Sequence, residues 1–187
     1  MLLARTSDGY QYVFDRPVRL LVVDDDPIMR EFAVAQFSQP GATILTAEDG
    51  DQAWDLLQGQ DGAFDLVLSD LEMPRCNGFM LVERIRSSPR HAQIPVVVIT
   101  GRDDLFAIDR AYEVGATSFV TKPVNWRQLG YQLRYVLRTA RMEAEIRQAR
   151  DEAQRTAALR ENLLGLLQHV TRTPLNAILG FGRLVRG

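Results

Sequence analysis

Five short apolar runs punctuate the first part of the chain: VRLLVV (18–23), ATILTA (42–47), FDLVLS (64–69), IPVVVI (94–99) and TSFVT (117–121). They are rich in β-branched residues and near continuous rather than alternating, as strands buried on both faces of a parallel sheet are. Between them lie stretches of about 10–15 residues with helical spacing. Several open on capping signals. Asp26-Pro27 sets a capping acid before a proline at the first helical position, and Asn77-Gly78 and Asp103-Asp104 precede two further helical patterns. Five strand–helix repeats of this rhythm predict a doubly wound α/β fold.

Right-handed crossovers leave few topologies, and the flavodoxin-like (βα)5 parallel sheet of order 2-1-3-4-5 is the expected one for residues 18–124. Residues 1–17 show no clean period and end at Pro17, so they are set apart as an N-terminal arm. After Pro123 the strand signal stops, and Pro174 is the only further proline. Leu129, Leu133, Val136 and Ala140 follow a 4-3-4 spacing suited to packing on the sheet. A second register then begins at Met142 and runs through Ile146, Ala149, Ala153, Thr156, Arg160, Leu163, Leu167 and Val170. These alternate +4 and +3, the a/d pattern of a coiled coil. Pairs such as Glu143–Arg147, Arg147–Asp151 and Asp151–Arg155 add i,i+4 support of about 0.2–0.5 kcal/mol each. Thr156 and Arg160 weaken the seam. The expectation is a last domain helix continuing as a signalling coiled coil over 125–160, a separate helical segment over 161–187, and a homodimer through this C-terminal helix.

Composition narrows the class. The net charge of −2 argues against broad polyanion binding, so nucleic acid is not an expected partner. Cys76, the single cysteine, excludes an internal disulfide framework and fits a cytoplasmic protein. No stretch approaches the roughly 18 apolar residues of a membrane span, and the N-terminus carries no signal-peptide pattern. Cations are written as arginine 21 times and as lysine once, at Lys122. A planar fork and a compact point charge on a flexible stem do different work, so the lone lysine marks a place that needs the latter.

In doubly wound sheets ligands bind at the carboxyl ends of the strands. Strand 1 ends in Asp24-Asp25-Asp26, strand 3 in Ser69-Asp70, strand 4 in Thr100-Gly101, and strand 5 runs into Lys122-Pro123. Carboxylates, a hydroxyl and the only lysine thus converge on one rim. Two carboxylates 4 Å apart repel by about 4 kcal/mol at an effective dielectric near 20. A hard divalent cation offsets that, and Mg²⁺ suits one or two carboxylates with waters and phosphate oxygens.

VVDDDP, LVLSDLEMPRCNG, VVVITG and FVTKP, in this order and spacing, make residues 18–124 resemble a response-regulator receiver domain. The resemblance implies two-component phosphorelay signalling, with Asp70 as phosphoacceptor and a histidine kinase or phosphotransfer protein as phosphodonor. It further implies Mg²⁺ held by Asp70, by Asp25 directly, by Asp24 through water and by the Glu72 main-chain carbonyl. Thr100 and Phe119 would be the switch pair, and Lys122 would meet the phosphoryl charge. Gly101 leaves room above Thr100, and Lys122-Pro123 is a candidate cis peptide, against the trans preference of most X-Pro bonds. Haloacid-dehalogenase-like phosphatases share the metal and the aspartyl phosphate. They want a second Asp two residues after the nucleophile, where this chain has Glu72.

LLGLLQHVTRTPLNAILG (163–180) resembles the H-box helix that begins a histidine kinase dimerisation domain, with His169, Arg172, Thr173, Pro174, Leu175 and Asn176 as the matching residues. In the heptad His169 falls at c, facing solvent, as a phosphoacceptor must, and Pro174 would kink the helix about one turn later. An acid follows the histidine in that family and acts as base; here it is Val170, and no acid occurs from 162 to 187. The sequence stops before a second hairpin helix or an ATP-binding domain, so it reads as a fragment of a histidine kinase. Two outputs follow: a coil that regulates a kinase module with His169 as phosphoacceptor, or a phosphorylation-controlled dimeric docking surface with an inert His169.

Overall fold

The computed structural model describes residues 5–6, 9–10, 14–59, 63–101 and 105–184, with side chains for 14–59, 63–101 and 106–164. Five strand–helix units follow one another: β1 Val18–Val23, α1 Pro27–Phe37, β2 Ala42–Ala47, α2 Gly50–Gln58, β3 Leu66–Asp70, α3 Gly78–Ser87, β4 Val96–Thr100, α4 Leu105–Glu113, β5 Ser118–Thr121 and α5 Trp126–Leu184. The sheet is parallel throughout in the order β2-β1-β3-β4-β5, the topology expected from the sequence. Upstream, Arg5–Thr6 and Gly9–Tyr10 pair antiparallel as a two-residue ladder. By its internal packing the chain divides into two units, Met1–Arg141 and Met142–Gly187.

The first two strands match the apolar runs residue for residue, and the others start one or two residues late. At β4 the reason is chemical: Pro95 has no N–H to give the ladder, although its carbonyl accepts from Val67 N at 2.9–3.0 Å spacing typical of the sheet, here 3.0 Å. Both capping signals that fall on described residues operate. Asp26 accepts from Ile28 N at 2.8 Å with Pro27 in the first turn, and Asn77 accepts from Met80 N at 3.0 Å. Asp103-Asp104 lie outside the described residues.

Near-continuous apolar strands have two faces to cover, and two cores result. On one face Leu21, Val23, Val67, Val96 and Val98 pack against Leu57, Leu81, Ile85 and Ala111 from α2, α3 and α4. On the other, Leu20, Val22, Leu66, Leu68, Val97 and Ile99 meet Ala33 and Phe37 of α1 and Leu129, Leu133 and Val136 of α5. Each of these Val, Leu, Ile and Phe side chains contributes about 1.5–3 kcal/mol by leaving water. Burial on both faces holds for β1, β3 and β4; the edge strands β2 and β5 remain partly exposed, since nothing flanks them on one side.

The arm preceding β1 is not idle. Phe14 is buried in the second core with its ring 6.2 Å from that of Phe37, which itself lies 6.2 Å from Trp126 at the start of α5. Phe14→Ala should therefore cost about 3–5 kcal/mol, the usual range for a buried phenylalanine. Chemical denaturation reads this as a lower midpoint with an unchanged slope; an unshifted midpoint would mean that the segment packs only loosely.

Arg86, near the end of α3, is a cation held by oxygens that carry no charge. It donates to the carbonyls of Gly115 at 2.8 Å, Ala92 at 3.0 Å and Ile94 at 2.7 Å, and to Thr117 Oγ1 at 3.3 Å. Burial holds its guanidinium below the usual arginine range. Gly115 sits at φ 100°, and a Cβ there would come within 2.9 Å of Arg86 Cγ, so both conformation and space call for glycine.

In the second unit, the helix exposes every residue from 142 to 164, Met142, Ile146, Leu159, Leu163 and Leu164 included. Of the expected i,i+4 pairs, Glu143–Arg147 closes at 4.0 Å. The helix runs through Pro174 to Leu184, but the side chains of His169, Val170 and their neighbours lie outside the described residues.

Candidate functional site

The parallel registers bring the strand ends level. Val23 pairs with Ser69, Asp70 with Ile99 and Thr100 with Thr121, so whatever follows β1, β3, β4 and β5 meets on one rim. Asp24 and Asp25 follow β1, Asp70 ends β3, Thr100 ends β4, and Lys122 follows β5. Carboxylate oxygens of Asp24, Asp25 and Asp70 all lie within 4.8 Å of one another, with Asp24 and Asp70 buried and Asp25 exposed. Lys122 Nζ donates to Asp70 Oδ2 at 2.8 Å, and Leu71 N donates to Asp70 Oδ1 at 2.9 Å. The Lys122–Pro123 peptide is cis.

The charges explain the electrostatics. Desolvation pushes the Asp24 carboxyl up to about 6; the Asp26 N–H donating at 2.9 Å opposes this, and the charge of Asp70 adds to it. Burial alone would lower the Lys122 ammonium, but the hydrogen bond and charge of Asp70, with Asp24 and Asp25 behind it, outweigh that and raise it. Three carboxyl groups face one ammonium. A surplus of negative charge among hard oxygen donors, one of them already driven toward its neutral form, fits a divalent hard cation.

Thr100 is buried at the rim. Phe119, half-buried on β5, sets its ring edge-on to Tyr112 with centroids 5.8 Å apart. Glu72 is exposed on the loop between β3 and α3. A Cβ added at Gly101 would meet nothing within 4 Å, so space alone does not require glycine there.

Two supporting residues carried no signal of their role. Arg30, one arginine among 21, sends Nη1 from α1 to the carbonyls of Asp24 at 2.6 Å and Asp25 at 3.1 Å, fixing the turn that presents both acids. Gly78 reads in sequence as half of a capping pair. In space, a Cβ on it would fall 2.3 Å from the Asp70 carbonyl oxygen. Recognising either needs the tertiary contact.

The fold thus sets three acids, a threonine and a lysine at the carboxyl rim of a parallel five-stranded sheet. The response regulator receiver domain model matches residues 20–134, and the chain belongs to that family. Receiver domains act in two-component signalling, take a phosphoryl group from a histidine kinase or phosphotransfer partner, and generally bind Mg²⁺ at the acidic pocket. Among curated proteins the chain is 38% identical over 106 residues to the Regulator of RpoS of Escherichia coli, covering 57% of this chain and 30% of that protein. It is 32% identical over 125 residues to the 3',5'-cyclic-nucleotide phosphodiesterase regA of Dictyostelium discoideum, covering 64% of this chain and 15% of that one. The chain thus spans only a minor part of these relatives. Among solved structures, the Vibrio cholerae chemotaxis protein CheY4 aligns with a TM-score of 0.59 at 28% identity, over 64% of this chain and 98% of its own. The signal receiver domain of a histidine kinase from Syntrophus aciditrophicus aligns with a TM-score of 0.60 at 27% identity, over 65% and 91%.

Proposed function

We propose that Asp70 is the phosphoacceptor of this chain and that its phosphorylation is passed through β5 and α5 to a C-terminal coiled-coil dimer linked to a histidine kinase module. The observation that carries the first half is the pairing of the only lysine with Asp70 at 2.8 Å beside two further acids. An Asp70 carboxylate oxygen forms a bond to phosphorus while the bond from phosphorus to the donor's imidazole nitrogen or acyl oxygen breaks, and the electron pair leaves with the donor. Lys122 holds positive charge against the carboxylate and then against the incoming phosphoryl oxygens. Asp25, Asp70 and the Glu72 carbonyl would hold Mg²⁺, with Asp24 acting through water. When bound, the ion supplies positive charge that offsets the crowded acids and the phosphoryl group. Thr100 offers its hydroxyl to a phosphoryl oxygen, and Phe119, on the next strand, follows its movement.

The second half is supported by the exposed Met142, Ile146 and Leu163 at heptad spacing, which a second copy in parallel would cover. A receiver from a histidine kinase among the structural relatives favours a kinase as the attached module. Val170 favours the other output, a docking coil with an inert His169.

One experiment separates these readings. With an acyl phosphate and Mg²⁺ the wild-type chain should gain one persistent, alkali-labile phosphoryl group, and Asp70→Asn should gain none. Repeated turnover of the phosphate donor would instead indicate a phosphatase. Supplying a kinase ATP-binding domain and ATP in trans then tests the output. Acid-labile phosphate on His169 supports the kinase link, while its absence in a folded dimer leaves the docking coil.

A further inference from the structure

Arg75 is the one non-glycine residue with positive φ among the described residues, at 63°. Left-handed backbone costs a side-chain-bearing residue about 1–2 kcal/mol, and glycine or asparagine is the usual occupant. Such strain persists where the surroundings over-determine it. Here they do. Arg75 donates through Nη2 to Glu48 Oε1 at 2.9 Å, and through Nε and Nη2 to Oδ2 of Asp49. Asp49 is buried, and its other oxygen caps α2 by accepting from Gln52 N at 2.8 Å. The N–H of Gln52 and then the Arg75 guanidinium hold the Asp49 carboxyl below its ordinary value.

The β3–α3 loop is thereby tied at two places. At its base Leu71 N donates to Ile99 O at 3.1 Å, and Gly78 N donates to Leu71 O at 3.1 Å. At its tip Gly50 N donates to Cys76 O at 2.9 Å beside the Arg75 contacts. Gly50 permits this approach, since a Cβ there would lie 2.5 Å from Cys76 Sγ. Glu72 lies between the two ties. Besides Arg75, the loop is held by the Cys76 backbone bond, by Arg84 Nη1 on Cys76 Sγ at 3.9 Å and by Met73 in the first core, so Arg75 is the tie that acts through charge.

We propose that Arg75 is a positioning residue for the acidic rim, pinning the loop tip to the N-terminus of α2 so that the Glu72 carbonyl is held toward Asp70. The inference rests on the reading of Asp70 as a metal-dependent phosphoacceptor. Arg75 is exposed but Asp49 is buried, so removing Arg75 leaves a buried carboxylate short of a partner, and a thermal melt of each variant separates lost stability from lost ligand binding.

The test is Mg²⁺ affinity by calorimetric titration of wild type, Arg75→Gly, Asp49→Asn and the double variant. Glycine keeps the left-handed turn and removes only the tether. Arg75→Gly should bind Mg²⁺ about tenfold more weakly, the low end for outer partners of metal ligands. The double variant should bind no more weakly than the weaker single one, because both changes break the same tie. Arg75→Gly binding within about twofold of wild type would overturn the proposal, given the size expected for outer partners. If Asp49→Asn fails to fold for want of its cap, Arg75→Gly alone decides. Wild type that binds Mg²⁺, with Asp25→Ala that does not and Arg75→Gly unchanged, removes this inference and leaves the Asp70 reading standing. Wild type that binds none removes both.

Discussion

At a hundred times its dissociation constant, Mg²⁺ should raise the melting temperature by roughly 5–10 °C and leave Asp25→Ala unmoved. Binding at that excess adds about 2.7 kcal/mol to the folded state, and each kilocalorie moves a chain of this size by about 2–4 °C. Asp25 is the right residue to remove because it is exposed while Asp24 and Asp70 are buried. Its loss opens no cavity and takes one negative charge from a rim where three acids face one ammonium. In EDTA, Asp25→Ala should therefore melt at or above the wild-type temperature. Thermal melts with and without Mg²⁺ check both statements; an equal Mg²⁺ shift in the two proteins would place the ion elsewhere.

Gly78→Ala should abolish phosphoryl acceptance and lower stability together. The added methyl would lie 2.3 Å from the carbonyl oxygen of Asp70 and 2.8 Å from Leu71 Cα, both of them backbone, at Asp70 and at the residue after it. Backbone cannot rotate out of the way as a flexible side chain can. Overpacking of this kind costs about 1–3 kcal/mol or more, and relieving it moves the carboxylate proposed as phosphoacceptor. Gly101→Ala is the matched control, since its Cβ would meet nothing within 4 Å. Acyl phosphate labelling and thermal melts of both variants make the comparison. Labelling of Gly78→Ala at the wild-type rate would show that the junction tolerates a shift.

The sheet and its rim were legible because both depend on local pattern. Apolar runs of five or so residues give strands, and residues at the ends of parallel strands share a rim by topology alone. The lone lysine stood out by composition, and its partner proved to be Asp70 at 2.8 Å. What stayed hidden lies in contacts between residues distant in sequence. Nothing in the arm announced that Phe14 enters a core with Phe37 and Trp126. Nothing in RCNG marks Arg75 as the partner of Asp49, 26 positions earlier. Gly78 and Gly50 both follow capping residues, so helix punctuation masked the tighter demand that backbone and Cys76 press against them.

Arg86 gathers oxygens from the loop before β4 and from the turn between α4 and β5. Salt does not loosen this contact as it would an ion pair, because the acceptors are dipoles rather than charges. One side chain of α3 thus ties together the entries to β4 and β5, at the amino ends of the strands and away from the rim that carries Asp70.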